Sequence, residues 1–525
     1  MTRTRGVVAT SWVPLSRVDH ARTDVFADST VAATRPVRQQ DAGVAPAPKG
    51  DKMTESVCAE ESPVSEQSAS TVHDIVILGG GSGGYACALR AAQLGLDVVL
   101  VEEGKLGGTC LHQGCIPTKA LLHSAEVADA AREGQQFGVK STFDGIDMTA
   151  VNAYKDGVVS RLFKGLSGLV KSRGVTFIEG HGRLVRPDTV AVGDSTYTGR
   201  HVVLATGSAP RSLPGLEVDG SRVITSDHAL TLDYVPRSVV VLGGGVIGVE
   251  FASVWKSFGA EVTVVEALPH LLPLEDEDLS KQIERQFRKR GIAQELGARF
   301  ASVAESATGV VVHLENGKTI DADLLLVAVG RGPVSSGLGF EEVGVAMDRG
   351  FVTVDEYCRT SVPNVYAVGD LIPTLQLAHV GFAEGILVAE HVAGLDPRPI
   401  DYDGVPRVTY SEPEVASVGL TEAAAREKYG DTVTTVKYDL GGNGKSQILK
   451  TAGVVKLVAV KDGPVVGVHI IGSRAGELLA EGQLIYNWEA YADDVASLIH
   501  AHPTQSEAMG EAHLALAGKP LHAHS

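Results

Sequence analysis

Two sequence patterns divide the chain near Thr71. From His73 onward, short runs of Val, Ile and Leu end in glycine and alternate with alanine-rich stretches of helical character. Uninterrupted apolar runs are typical of strands buried on both faces, and the stretches between them suit crossover helices. The pattern therefore predicts an α/β fold built on parallel sheets.

Residues 1–71 lack this pattern. They are rich in Ala, Ser, Pro, Asp and Arg and show no apolar periodicity. Such a stretch cannot bury enough apolar surface to offset the entropy lost on ordering, so we predict a disordered N-terminal extension. Its arginines would suit a transit peptide, but the interspersed aspartates Asp19, Asp24, Asp28 and Asp41 weaken that interpretation.

One strand-helix-strand unit occurs twice in the α/β region. In each copy an apolar strand precedes three spaced glycines, a helix-like stretch follows, and a second strand ends in glutamate 23 residues after the first glycine. The first copy contains Gly79, Gly81, Gly84 and Glu102, and the second contains Gly243, Gly245, Gly248 and Glu266. The glycines suit a tight turn, close approach to a pyrophosphate and close helix packing, while the carboxylate suits a ribose. Two copies predict two dinucleotide-binding domains.

The glycines alone are weak evidence, because 60 Gly in 525 residues give roughly one chance match to the pattern. Two ligand-free turns are the alternative, and the matched strands and glutamates disfavour it. Glu266 would repel a 2′-phosphate, and no Arg or Lys lies between Glu266 and Glu275 to receive one. We therefore expect the second site to prefer NAD over NADP.

Length, charge and cysteine content narrow the class of protein. A chain of 525 residues is expected to form two to four domains. The net charge of -18 disfavours a nucleic-acid partner, and no apolar run approaches the roughly 20 residues that cross a membrane. Five cysteines and no apolar leader argue against a disulfide-stapled secreted protein, so we expect a cytoplasmic location.

Two cysteines lie close together just after the first unit. Four residues separate Cys110 and Cys115 within GGTCLHQGCIPTK, residues 107–119. In a regular helix their Cα atoms would be about 8.7 Å apart, beyond the roughly 7 Å that a disulfide spans, so a redox pair requires a bulge that Gly114 and Pro117 permit. Zinc binding is a weaker alternative because no second cysteine pair exists and we expect no metal site. Two inert buried cysteines are the other alternative.

This segment resembles the active-site signature of the pyridine nucleotide-disulfide oxidoreductases, and most closely that of the dihydrolipoamide dehydrogenase family. The resemblance continues through residues 201–207, 360–370 and 500–507 and covers roughly 73–517. Many members carry Asn and Val where this chain has His112 and Gln113. The resemblance implies FAD in the first unit and NAD in the second. It also implies that the cofactor-binding residues include Lys119, Thr206, Gly207, Asp370 and Gly330.

The same resemblance implies a set of catalytic residues. Cys110 would exchange with the substrate sulfur and Cys115 would face the flavin. Because a free thiol is mostly protonated at pH 7, a base is needed, and His502 oriented by Glu507 is the candidate. Lys119, paired with Glu250, would lie beside the flavin.

The resemblance also implies how the domains are arranged. We expect an FAD-binding domain at 72–217, an NAD-binding domain at 218–341, a return to the FAD domain at 342–405 and a dimerisation domain at 406–525. Each site of the homodimer would then use His502 and Glu507 of the other subunit. The expected reaction is oxidation of protein-bound dihydrolipoyl groups by NAD, and the expected partners are lipoyl-bearing acyltransferase components of 2-oxoacid dehydrogenase complexes or a glycine-cleavage carrier protein.

Three alternatives stay open at this stage. An NADPH-dependent reductase of low-molecular-weight disulfides shares the cysteine motif, although Glu266 disfavours it. A mercuric reductase would be expected to carry a C-terminal cysteine pair, and no cysteine follows Cys358. A non-catalytic subunit with the same fold would not need the full set of cysteines, histidine and glutamate.

Overall fold

A computed structural model describes residues 72–523. The extension predicted to be disordered, 1–71, lies outside the described residues. No helix within 72–523 combines the length and the apolar character needed to cross a membrane.

The strands are β1 Val72–Leu78, β2 Val98–Glu102, β3 Thr176–Glu179, β4 Gly182–Arg186, β5 Thr189–Val192, β6 Ser195–Leu204, β7 Ser208–Pro210, β8 Val223–Ile224, β9 Ser238–Leu242, β10 Glu261–Glu266, β11 Ala293–Leu296, β12 Phe300–Glu305, β13 Val310–Leu314, β14 Thr319–Ala322, β15 Leu324–Val327, β16 Arg331–Pro333, β17 Met347–Asp348, β18 Phe351–Val352, β19 Val365–Ala367, β20 Arg407–Thr409, β21 Glu414–Gly419, β22 Val433–Asp439, β23 Val454–Val460 and β24 Val465–Gly472.

The α-helices are α1 Ser82–Gln93, α2 Gly108–His112, α3 Cys115–Glu133, α4 Met148–Ser172, α5 Ser226–Ala229, α6 Val246–Phe258, α7 Glu277–Lys289, α8 Phe340–Val343, α9 Ala378–Val392, α10 Glu422–Tyr429, α11 Gly444–Leu449, α12 Ala475–Asn487, α13 Ala492–Ala496 and α14 Glu507–Leu516.

The first sheet places the first glycine-rich turn at the end of its central strand. Its order is β3-β2-β1-β6-β5-β4, and β19 pairs with the second half of β6. Strands β1, β2, β3, β6 and β19 are mutually parallel, and α1 packs against α9. The interior strand β1 has a run of buried side chains from Ile75 to Leu78, as the continuous apolar pattern predicts.

The second sheet repeats this arrangement. Strands β11-β10-β9-β15-β8 are all parallel, and α6 follows β9 as α1 follows β1. A three-stranded antiparallel sheet of β12, β13 and β14 is inserted before β15. The chain then returns towards the first unit, because β16 pairs with β7. The α/β fold class and the presence of two such units are confirmed.

The C-terminal region is a five-stranded antiparallel sheet in the order β20-β21-β24-β23-β22. Helix α12 packs against β21 and β24, and α14 packs against β22 and β23. All side chains from Val455 to Ala459 on β23 are buried, and so is every residue of β24, Val465–Gly472. This region therefore combines helices with an antiparallel sheet, whereas the two preceding units are built on parallel strands.

A buried cluster of charges joins the C-terminal sheet to the second unit. Lys456 on β23 has only 3% of its side chain exposed and lies 2.8 Å from Asp276, 2.7 Å from Asp278 and 2.8 Å from Glu422. Asp276 and Asp278 flank the first residue of α7, whereas Glu422 belongs to α10. Lys456 is thus paired with carboxylates on both sides of the boundary, as a buried charge requires.

Candidate active site

The two glycine-rich turns have matching backbone geometry. Gly79 and Gly243 follow β1 and β9 with φ of 109° and 112°, values that favour glycine. A Cβ atom on Gly84 would lie 1.8 Å from the carbonyl oxygen of Gly79, and one on Gly248 would lie 1.9 Å from that of Gly243. Each third glycine therefore lets its helix pack directly on the turn, as the motif requires.

The N-termini of α1 and α6 open onto free space. Gly81 and Gly245 precede these helices, and a Cβ atom on either would meet nothing within 4 Å. Neither helix has a side-chain cap. Uncapped N-H groups and the positive end of the helix dipole suit the pyrophosphate of a dinucleotide.

The two glutamates that end the second strands are held identically. One oxygen of Glu102 accepts a hydrogen bond from the Gly80 N-H at 2.6 Å, and the other accepts from the Gly104 N-H at 2.8 Å. Glu266 accepts from the two equivalent N-H groups at the same distances. Both carboxylates stand fixed beside their turns, where a ribose diol would donate to them.

One cleft contains most of the residues predicted from the sequence. Its volume is about 2180 Å³, well above the roughly 300–1,000 Å³ of pockets for small ligands. Its walls include both glutamates and both cysteines, together with Gly79, Gly81, Lys119, Thr206, Gly207, Gly243, Gly245, Glu250, Gly330 and Asp370. Its size, the open helix N-termini and the fixed carboxylates fit FAD and NAD.

The helix is broken between the two cysteines. Helix α2 ends at His112 and α3 begins at Cys115, while Gly114 has φ of −146° and ψ of −109°, outside the helical region. Both thiols are free, and they are close enough to share a hydrogen bond. The break brings the sulfur atoms together where an unbroken helix would separate them.

The two thiols differ in acidity. The hydrogen bond from Cys110 and the charge of Lys119 lower the pKa of Cys115 to about 7, although burial acts in the opposite direction. The same hydrogen bond, burial and the negative charge of Cys115 raise the pKa of Cys110. In the reduced pair Cys115 is therefore the thiolate and Cys110 the thiol that donates to it.

An ion pair between the partly exposed Lys119 and the buried Glu250 lies beside the cysteines. The Lys119 Nζ atom lies 2.9 Å from the Glu250 carboxylate, whose side chain is 3% exposed. The Tyr410 N-H donates to the other Glu250 oxygen at 2.9 Å, and Lys119 lies over the Tyr410 ring at 4.9 Å. Burial acts to lower the pKa of Lys119, but Glu250 and Cys115 outweigh it and raise that pKa. Lys119 is thus held charged beside Cys115.

Asp370 is fixed by a short chain of hydrogen bonds. The Ser208 hydroxyl donates to Asp370 at 2.6 Å, and Arg331 Nε donates to the same hydroxyl at 2.8 Å. The Thr206 hydroxyl donates to the Val334 carbonyl at 2.6 Å. These bonds tie the segment from Thr206 to Ser208 to β16, to the residue after it and to the turn after β19, around the cleft.

His502 and Glu507 form a pair that lies outside the cleft. Their Nδ1 and Oε1 atoms are 2.7 Å apart, and the Thr504 N-H donates to the other Glu507 oxygen at 2.7 Å. The His502 side chain is 77% exposed. The structure therefore brings the histidine and its carboxylate together but does not bring them to the cysteines of the same chain.

Sequence reasoning missed several residues of the cleft. Tyr410 contacts Lys119 and Glu250, Arg331 donates to the Ser208 hydroxyl that holds Asp370, and Arg299 lines the cleft. They come from loops and strand ends with no recognisable spacing to the motifs. Over residues 72–523, no group of three or more His, Cys, Asp or Glu side chains is arranged to hold a metal ion.

Comparison with known families identifies two matching regions. Residues 73–385 match the family model described as "Pyridine nucleotide-disulphide oxidoreductase", and residues 405–513 match its dimerisation domain. The second match covers the antiparallel sheet and most of α14.

Individual relatives extend the likeness. A dihydrolipoyl dehydrogenase of Bacillus subtilis is 42% identical over 473 residues, covering 86% of this chain and all of the relative. A mitochondrial dihydrolipoyl dehydrogenase of Pisum sativum is 41% identical, covering 87% of this chain and 93% of the relative. Among solved structures, LpdA from Mycobacterium tuberculosis gives a TM-score of 0.79 at 29% identity, covering 85% of this chain and 100% of that one.

Proposed function

The chain belongs to the pyridine nucleotide-disulphide oxidoreductase family, and we propose that it is a dihydrolipoyl dehydrogenase that uses FAD and NAD. The observation that carries this proposal is the Cys110–Cys115 pair, placed on a broken helix in a cleft shared by two dinucleotide-binding units. A thiol pair between two such units can pass electrons from a dithiol to a nicotinamide.

The cysteines would exchange disulfide bonds with the substrate. A substrate thiolate attacks the Cys110 sulfur of the Cys110–Cys115 disulfide, and Cys115 leaves as a thiolate. The second substrate sulfur, as a thiolate, then attacks the first substrate sulfur in the mixed disulfide. This forms the substrate disulfide and releases the Cys110 thiolate, which takes a proton back from protonated His502. The low pKa of Cys115, about 7, suits a leaving group, because a more acidic thiol leaves faster.

Each substrate thiol must lose a proton before it attacks. We propose that His502 takes these protons and that Glu507 holds its imidazole and stabilises the charged form. Lys119, fixed by Glu250, stabilises negative charge next to Cys115. The cofactors, when bound, would supply the remaining redox chemistry, the two-electron transfer from the reduced cysteine pair to the nicotinamide.

We propose the following division of binding residues between the two cofactors. The first unit, with Gly79, Gly81, Gly84 and Glu102, would hold FAD together with Thr206, Gly207 and Asp370. Gly330 would belong to the second site, because it follows β15 as Gly207 follows β6. The second unit, with Gly243, Gly245, Gly248 and Glu266, would hold NAD. We propose the same domain limits as the sequence predicts, with the dimerisation domain beginning at 406.

The protein is a homodimer, as its dimerisation domain indicates. We propose that its partners are lipoyl-bearing acyltransferases of 2-oxoacid dehydrogenase complexes or a glycine-cleavage carrier protein, because these proteins present dihydrolipoyl groups. A cytoplasmic location is proposed because a cysteine pair that must cycle suits a reducing compartment. Cell fractionation, and co-purification of lipoylated proteins on the tagged enzyme, would test the two proposals.

The deciding experiment is steady-state reduction of NAD by dihydrolipoamide on the purified flavoprotein. Rapid NADH formation that is lost in Cys110→Ser and kept in Cys87→Ala is expected, since Cys87 is a fully buried thiol of the first core. Parallel assays with NADPH and glutathione disulfide test the second candidate, a small-disulfide reductase. Activity in only the second assay would replace the proposed function.

A further inference from the structure

The correspondence between the two units continues past Glu102 and Glu266 to one later position in each unit, just after β3 and just after β11. The Gly180 N-H donates to the Glu102 carbonyl at 2.9 Å, and the Ala298 N-H donates to the Glu266 carbonyl at 2.9 Å. The residues that follow, His181 and Arg299, are therefore equivalent. Both line the same cleft.

The two equivalent side chains differ in their partners. In the first unit, His181 Nδ1 lies 2.6 Å from the carboxylate of Glu103, the residue after Glu102. The residue after Glu266 is Ala267, which offers no charge. Arg299 is exposed, and its backbone carbonyl accepts a hydrogen bond from the Glu315 N-H at 2.9 Å, whereas within residues 72–523 its guanidinium makes no hydrogen bond or ion pair. The second unit thus presents an unpaired cation to the cleft.

Arg299 and Glu266 would act in opposite senses on a phosphate. The Glu266 oxygens are fixed by the N-H groups of Gly244 and Leu268, at 2.6 and 2.8 Å. A phosphate on the ribose 2′-oxygen would meet this fixed negative charge. Arg299 directly follows Ala298, whose N-H donates to the Glu266 carbonyl. Its guanidinium carries the opposite charge and a planar set of donors that matches phosphate oxygens.

We propose that Arg299 is a specificity-determining residue that gives the second dinucleotide site an affinity for the 2′-phosphate of NADP, which Glu266 suppresses. Selectivity for NAD then depends on one carboxylate acting against one arginine. The inference rests on the proposed assignment of the second unit to a nicotinamide dinucleotide. The sequence conceals it, because Arg299 lies 33 residues after Glu266, outside the 267–275 loop.

Paired substitutions separate the two charges. We expect Glu266→Gln to raise kcat/KM for NADP relative to NAD by about tenfold, because it removes the repulsion and keeps the shape. Adding Arg299→Gln in that background is expected to lower the same ratio by about tenfold, the loss of one charge-assisted contact. Arg299→Lys, which keeps the charge, should lower it less than about threefold.

Binding of 2′,5′-ADP and 5′-AMP, measured by calorimetry on the holoenzyme, provides a readout without dithiol chemistry. Arg299→Gln should weaken 2′,5′-ADP more than 5′-AMP. Arg285→Gln is the matched control, because Arg285 is exposed on α7 outside the cleft and its loss changes the net charge equally. Wild-type oxidation of dihydrolipoamide by NAD is established first, so that failure of the proposed function is seen separately.

Two results would overturn the inference. One is a ratio of kcat/KM for NADP to kcat/KM for NAD that changes by less than about threefold when Arg299→Gln is added to Glu266→Gln. The other is an equal loss of 2′,5′-ADP and 5′-AMP binding, which would mean that Arg299 contacts the adenosine common to both ligands.

Discussion

Combining two inactive chains in one dimer tests which subunit supplies the base. One chain carries Cys110→Ser and the other His502→Gln, and each has a different affinity tag. Loss of a general base costs about 10²–10⁴ in rate, and loss of Cys110 removes the exchanging sulfur, so each homodimer should retain no more than about 1% of wild-type activity. The position of His502, 77% exposed and outside the cleft of its own chain, predicts the outcome for the heterodimer.

If the base acts across the interface, one of the two sites combines an intact cysteine pair with an intact histidine. The doubly purified heterodimer should then show about half of the wild-type rate of NAD reduction by dihydrolipoamide. If His502 serves its own chain, both sites are defective and the rate stays at about 1% or below. A wild-type dimer carrying the same two tags controls for purification, and a rate at the lower level would refute the shared site.

Three further predictions concern the cysteine pair, the domain boundary and the glycine turns. Lys119→Met should raise the pKa of Cys115 above about 7, so that its alkylation by iodoacetamide in the reduced protein shifts to higher pH; an unchanged pH profile would contradict the role of the cation. Lys456→Met should lower the free energy of unfolding in urea by about 3–5 kcal/mol, because the buried Asp276 carboxylate loses its cation; a loss below about 1 kcal/mol would contradict the role of this pair. Gly248→Ala should destabilise the fold, since its Cβ would lie 1.9 Å from a backbone oxygen, whereas Gly245→Ala should keep thermal stability and weaken NAD binding, since its Cβ meets only open space; equal effects of the two would contradict the assigned roles.

The Lys456–Asp276 pair makes the free energy of unfolding depend on pH. Burial acts to raise the pKa of Asp276, but the hydrogen bonds from Lys456 and from the Glu422 N-H outweigh it and lower that pKa. The pair therefore stabilises the fold above the unfolded value of about 3.9 and loses this stabilisation as the pH falls through the lower, folded value. Urea unfolding of the wild type and of Asp276→Asn should converge at acid pH.

Features that depend on short stretches of sequence were predictable. Tight packing of Gly84 on the Gly79 carbonyl and the break at Gly114 both follow from residues a few positions apart. The spacing of His502 and Glu507 indicated a pair, and their side chains are 2.7 Å apart. Local spacing suffices in these cases because one turn or one helix end brings the groups together.

Features that depend on distant loops were not predictable. Tyr410 reaches Lys119 only because β20 is followed by a loop that packs on α6, and Arg299 reaches the Glu266 region through the pairing of β10 with β11. Neither position can be inferred from the spacing of residues in the sequence. The absence of Arg and Lys from residues 267–275 therefore does not exclude a basic residue from elsewhere in the chain, such as Arg299, near Glu266.

The hydrogen bonds that fix Glu102 and Glu266 affect the entropy of cofactor binding. A flexible glutamate loses rotamer freedom when a ligand orders it, at a cost of about 0.5–1.5 kcal/mol per side chain. Here two backbone N-H groups have already ordered each carboxylate during folding. On the proposed assignment of these glutamates to the two riboses, little of this entropy would be lost on cofactor binding, and more of the ribose hydrogen-bond energy would remain as affinity.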